Sequence, residues 1–395
     1  MPSIPFFTKK NESEVSANGH HSDDSFDDED FSFDQADADE SELSLADPEA
    51  TGQPKIDKAS IADLVAKYGN SSATAWLEFE RYQLWQAPPG AVPNSPFQPV
   101  QGYMKKKSWI FAWGDPLVHD PSALEETAKA FIGWVESQGL QTVWCCVDLP
   151  LEKVLANIGF STVECIYEDV LQPEHVVELT SAQSKGKEGQ HVVKDLKKNL
   201  RRADKAGVTI DEVTGKWTDE LRTGVNDGVE RWKNNRSGVQ IAATTFMPFT
   251  DEEHRRYWLA YHESKIVGIL ILAHTGEHYV IKNCASFPDA PRGTSEALIH
   301  RGLEDIHAEE KEKGHAINVS FGITAADEVR PVDNLSGWKI TSLSKVYHSV
   351  THSAGLLKRA DFRSKFDSGH QPMYVCYNKG FGIEGIRALL KLLRK

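Results

Sequence analysis
Residues 278–314 leave the chain the least freedom in what it can fold into. HYVIKNCASF reads as a strand, FPDAPRGTSEAL as a tight turn opening a helix, and SEALIHRGLEDIHAEEKEKG as the helix itself. Pro291 and Gly293 punctuate the change of period from two to 3.6. The same grammar recurs along the chain. TVWCCVDL is a buried-strand candidate, Leu151–Ile158 a short helix and STVECIYEDVLQ a strand. Further strands are predicted at Val208–Val213, Lys265–His274 and INVSFG, a helix over SLSKVYHSVTHSAGLLKRADFRSKF, and a last strand at MYVCYN. Strands alternating with helices imply a mixed α/β (α+β) fold in two halves.

Charge separates a tail from this body. Met1–Ala50 holds 15 Asp/Glu against 2 Lys, so −13 of the formal −14 lies there. That arm is rich in Ser and Asp and lacks periodicity, the signature of a disordered, solubilising segment. No apolar run follows Lys9 and Lys10, so no signal peptide is expected, and no stretch suggests a membrane span. Five cysteines without paired spacing suggest neither disulfides nor a metal site.

The body carries no G-x-S-x-G, H-E-x-x-H or P-loop. Chemistry on such a chain would work by positioning and electrostatics on an already activated donor. An acetyl-CoA-dependent transferase places bare amides of a glycine-rich loop at the pyrophosphate. Here Pro291 has no N–H and Arg292 carries a side chain, so coenzyme A fits poorly and no cofactor is expected. A basic helix, VKDLKKNLRRADKAG, puts Lys194, Lys197/Lys198, Arg201 and Lys205 on one face, suited equally to solvent or to a phosphate backbone. The C-terminal GFGIEGIRALLKLLRK is a basic amphipathic helix, which packs on the body or lies on an anionic membrane.

Five pieces in order resemble a known family: WIFAWGDPLV, NLRRADKAGV, PDAPRGTSEAL, NVSFGIT and LLKRADFRSKFDSGHQPMYV. They are similar to the C-terminal domain of bacterial phosphatidylglycerol lysyl- and alanyl-transferases and its free-standing fungal relatives. The resemblance implies two acetyltransferase-like (GNAT) folds in tandem joined by the basic helix. The implied organisation is an acidic arm over 1–57, a first GNAT-like domain over 58–182, and a linker with the basic helix over 183–207. A second, transferase domain follows over 208–380, then the C-terminal helix over 381–395.

The implied donor is an aminoacyl-tRNA, and the implied acceptor a membrane lipid. By analogy with the free-standing fungal relatives, the pair is glycyl-tRNA and the 3β-hydroxyl of ergosterol, met in the cytoplasm and peripherally on intracellular membranes. Lys197, Lys198, Arg201, Arg202 and Lys205 are the expected tRNA contacts. Lys282, Asp289 and Arg363 are the expected catalytic residues; Tyr279, Asn283, Thr294, Ser320 and Lys365 are expected to line the transfer site. A helix-capping role is the plain alternative for Asp289 and Thr294. The sequence departs from the family's pattern at Lys282 and Ala285, where the bacterial enzymes carry Asp and Arg, and at Asp367 and His370. Two further readings stay open: transfer to phosphatidylglycerol or to a peptide or protein amine, and a non-catalytic tRNA- or membrane-binding protein.

Overall fold
A computed structural model describes residues 56–393 apart from 79, 94, 185, 187–188, 236–245, 336–361 and 379–380. The acidic arm up to residue 55, and most of the helix expected over SLSKVYHSVTHSAGLLKRADFRSKF, lie outside the described residues.

The strands are β1 (Gln83–Gln86), β2 (Val100–Lys106), β3 (Trp109–Trp113), β4 (Gln141–Val147), β5 (Ser161–Leu171) and β6 (Thr209–Glu212). They continue with β7 (Arg255–His262), β8 (Lys265–Thr275), β9 (His278–Ser286), β10 (Val319–Pro331) and β11 (Gly369–Tyr377). All eleven form one sheet in the order β1-β2-β3-β4-β11-β5-β10-β9-β8-β7-β6. The last strand, β11, returns to pair antiparallel with both β4 and β5. The two halves are thereby joined through continuous backbone hydrogen bonding. Both edges, β1 and β6, are only four residues long, which limits the unpaired backbone they offer.

Helices cover both faces. They are α1 (Ala62–Tyr68), α2 (Leu124–Ser137), α3 (Leu149–Asn157), α4 (Pro173–Thr180), α5 (Lys194–Lys205), α6 (Asp219–Asn234), α7 (Thr294–Lys313) and α8 (Ile383–Leu393). In the first half, Phe131 and Leu151 of α2 and α3 pack on Trp144 and Ile110, while α1 packs Val65 among Phe111 and Val143 on the other face. In the second half, α7 and α5 pack Leu298 and Leu196 against Leu270, and α6 packs Val225 against Ile269. Strands covered on both faces read as continuous apolar runs, and β3 is buried at all five positions. The sequence reading passes over α4, α6 and β7. The C-terminal helix α8 packs Ala388, Leu389 and Leu392 onto the first-half core. Among the described residues no helix is long and apolar enough to cross a membrane.

A carboxylate clip ties α1 to the first half. The Asn70 amide donates to Asp115 Oδ2 at 3.0 Å and to Asp148 Oδ2 at 2.9 Å, while the Asp148 N–H donates to Asp115 Oδ1 at 3.0 Å. Asp115 belongs to the Gly-Asp-Pro that ends β3. Burial pushes its carboxyl up to about 7. Burial, together with the neighbouring Asp115 charge, pushes Asp148 up to about 8. Two carboxylates this close cannot both ionise cheaply.

The start of α7 is braced by α5. Gly293 sits at φ 97°, and a Cβ there would meet the Asn199 carbonyl oxygen at 2.2 Å. The Asn199 side chain also donates to Glu296 Oε1 at 2.7 Å. Only glycine tolerates both the left-handed backbone and this approach.

Two outcomes follow from these contacts. Folded-state carboxyl values above the unfolded 3.8 mean that the Asp115–Asp148 contribution to stability is full below pH 3.8 and is lost as pH rises through about 7 to 8. Asp148→Asn is therefore expected to raise the melting temperature at pH 8 relative to wild type and to change it less at pH 5, as followed by calorimetry. Gly293→Ala is expected to destabilise the fold by on the order of 2 kcal/mol, measured by urea unfolding.

Candidate functional site
The second half contains a break in the sheet. β9 and β10 run parallel but pair only through Tyr279–Val319 and Val280–Ser320. From Ile281 onward the edge of β9 that faces β10 has no strand partner among the described residues. Both strands bulge where they part. The β9 register with β8 shifts between Ile281 and Asn283, and the β10 register with β5 shifts between Ser320 and Gly322. An unpaired, bulged edge exposes backbone N–H groups to anything that enters the wedge.

The chain fills one side of this wedge. Phe321 of β10 packs edge-on against Phe362 and Phe366, at centroid distances of 6.3 and 5.4 Å. Lys365 bonds Glu296 at 2.9 Å, so the 362–366 segment bridges β10 to the first turn of α7. Arg363 is committed to the same bracing. Its Nη1 donates to Asp169 Oδ2 at 2.7 Å and to the Gly322 and Ile323 carbonyls at 3.0 and 3.2 Å, and its Nη2 to the Phe321 carbonyl at 2.9 Å. The guanidinium thus satisfies backbone acceptors of β10 at its bulge, and the Asp169 side chain beneath it is 1% exposed. The strand–turn–helix shape of an acyl-donor site is present, but α5 and residues 362–366 stand at its helix start.

Polar groups gather about the bulges. Lys282, at the β9 bulge and 10% exposed, bonds Glu78 Oε1 at 2.9 Å. Arg255, 2% exposed, reaches the same oxygen at 3.3 Å. Its Nη1 donates to the Met247 carbonyl at 3.3 Å, while its buried Nε has no partner among the described residues. Asn283 is half-buried beside Lys282. Where the strands part, Ser320 Oγ donates to Glu168 Oε1 at 2.6 Å, and the Ser72 N–H donates to the same oxygen at 2.6 Å. A polar cavity of about 60 Å³ opens there, lined by Asn70, Glu168, His278, Asn318, Ser320 and Gln371. Lys282, Asn283 and Ser320 are therefore carried by the two strands that form the wedge.

Tyr279 lines the same cavity, and its hydroxyl donates to the Glu309 carboxylate of α7 at 3.3 Å. Other expected site residues stand elsewhere. Asp289 pairs with Arg231 at the surface, its side chain 70% exposed. Thr294 is buried, and its hydroxyl donates to the Pro291 carbonyl at 2.7 Å. Neither caps α7, whose N-cap residue is Gly293. Arg363 and Lys365 line the filled side. Glu78, Arg255 and Glu168 escaped sequence reasoning because each comes from a segment remote in sequence from β9 and carries no motif. Asn70 and Asp148 were similarly silent, although Asp115 was visible as part of Gly-Asp-Pro.

The basic helix divides by face. Leu196, Asn199 and Ala203 are buried, Lys197 donates to Ser184 Oγ at 2.6 Å, and Arg202 to Asn199 Oδ1 at 3.0 Å. Lys194, Lys198, Arg201 and Lys205 point to solvent in a row spaced four, three and four. Arg292, also exposed, follows in the turn braced by the same helix.

Comparison with known proteins places this geometry. No curated protein matches the chain. L-PGS from Bacillus licheniformis superposes with a TM-score of 0.63 at 14% identity, covering 86% of this chain and 98% of that one. The C-terminal domain of a putative lysylphosphatidylglycerol synthetase from Agrobacterium fabrum gives 0.60 at 17% identity, covering 85% and 96%. FemX gives 0.50 at 10% identity, covering 85% and 99%. These likenesses establish a shared fold. Residues 100–377, well over half of the chain, match the family described as phosphatidylglycerol lysyltransferase, C-terminal. On the strength of that match, the chain belongs to the phosphatidylglycerol lysyltransferase C-terminal family.

Proposed function
We propose that this protein transfers an aminoacyl group from an aminoacyl-tRNA to the hydroxyl of a membrane lipid, and that the group is glycine and the hydroxyl the 3β-hydroxyl of ergosterol. The observation that carries the reading is the unpaired edge of β9 at Lys282 in a chain of this family. The donor ester is already activated, so the site needs no covalent nucleophile. The acceptor hydroxyl oxygen attacks the ester carbonyl and forms a new C–O bond. The resulting oxyanion finds the Lys282 ammonium and free N–H groups of the bulge. Collapse breaks the bond to the terminal ribose oxygen of the tRNA, which takes up the proton lost by the hydroxyl. Glu78 holds the Lys282 ammonium in place at 2.9 Å. The row Lys194, Lys198, Arg201 and Lys205 supplies the phosphate contacts, on the helix that braces the start of α7.

Purified protein incubated with [14C]glycyl-tRNA and liposomes containing ergosterol is expected to place label in the sterol fraction, as read by chromatography and mass spectrometry. Label in phosphatidylglycerol or in a peptide instead would keep the transferase and change the acceptor. Label in no acceptor, with tRNA binding intact, would leave a binding protein and overturn the reading. Replacing Lys194, Lys198, Arg201 and Lys205 together by Gln is expected to lower tRNA affinity by about tenfold or more near 0.1 M salt. It should also flatten the log affinity against log salt slope by about 0.7–0.9 per cation removed.

A further inference from the structure
The cations at the β9 bulge exceed what their counter-ion can neutralise. Lys282 and Arg255 converge on one oxygen of Glu78, at 2.9 and 3.3 Å. They come from adjacent regions of the sheet, Lys282 from β9 and Arg255 from the first position of β7, while Glu78 precedes β1. Two positive groups and one carboxylate leave a net positive charge. It is poorly solvated, since Lys282 is 10% and Arg255 2% exposed, and a buried Arg255 N–H is without an acceptor among the described residues. In such surroundings a further cation is repelled strongly, because water does not screen it.

We propose that the Arg255–Glu78–Lys282 cluster makes this site reject aminoacyl groups with cationic side chains and accept those with uncharged or anionic ones. The inference rests on the reading that the aminoacyl ester enters the wedge at Lys282. Discrimination of this kind comes from the repulsive element: an ammonium or guanidinium side chain beside Lys282 meets like charge, whereas a glycyl group brings no charge beyond the α-amino group that every donor shares. Arg255 supplies the excess charge and Glu78 offsets part of it, so the two act on selectivity in opposite directions. Lys282 is shared with the chemistry, and its removal would not separate the two effects.

The experiment compares kcat/KM for glycyl-tRNA and lysyl-tRNA on the same full-length protein. Wild type is expected to prefer the glycyl donor by about 100-fold or more. Arg255→Gln is expected to reduce that ratio about tenfold, and Glu78→Gln to increase it. Ratios taken within one preparation are insensitive to partial misfolding of a variant. Binding is measured in parallel by calorimetry with stable probes, the glycyl and lysyl amides of 3′-amino-3′-deoxyadenosine. A wild type that uses lysyl-tRNA within threefold of glycyl-tRNA, or binds both amides equally, overturns the selectivity. A preference for the glycyl amide without transfer from any donor supports the selectivity and overturns the transferase reading instead.

Discussion
Among the described residues, the edge of β9 that faces β10 runs out of strand partners after Val280, and much of the second half is arranged around that fact. Buried N–H and C=O groups must be satisfied or left accessible. The β10 carbonyls at Phe321, Gly322 and Ile323 are satisfied by one guanidinium, Arg363, itself anchored on buried Asp169. Residues 362–366 then bridge the wedge to α7 through Lys365 and Glu296, and α5 closes the helix start through Asn199. What remains open is the bulge at Lys282 and Asn283, where a strained acyl centre would find donors already oriented.

This arrangement separates two tasks that sit together in an acetyl-CoA loop. A pyrophosphate at a helix N-terminus needs bare amides there. Here the first turn of α7 is engaged by neighbouring chain, and Pro291 could not donate in any case. The positive surface is displaced to the outer face of α5, where four cations reach solvent. A large polyanion can be held by that exposed row while its reactive end enters the wedge. Under the proposed reading, binding would draw on the outer face of α5 and chemistry on the wedge beside β9.

How far the sequence was legible depends on how local each signal was. The strand–turn–helix of residues 278–314, the basic helix and Gly-Asp-Pro depend on near neighbours and are found where expected. Tyr279 lines the polar cavity where β9 and β10 part, while its hydroxyl reaches Glu309 on α7, a remote partner that strand periodicity does not reveal. Asp289 and Thr294 lie in the most informative turn, and their partners, Arg231 and the Pro291 carbonyl, are contacts the sequence does not display. Arg363 was expected among the catalytic residues; its five acceptors come from β5 and β10, which no spacing rule connects to residue 363. The C-terminal amphipathic helix had two possible fates, and the apolar surface of β2 and β3 took it.

By itself the sequence determined the α/β class, the family through its ordered motifs, and the helix that carries the exposed cations, because each rests on periodicity or on residues within one turn or one loop. Only the tertiary structure decided that β11 stitches the halves together, that Arg363 braces the wedge rather than facing it, and that Glu78 and Arg255 meet Lys282. These depend on segments far apart in the chain being brought within hydrogen-bond distance, and burial and backbone pairing select such contacts only once the whole sheet has formed.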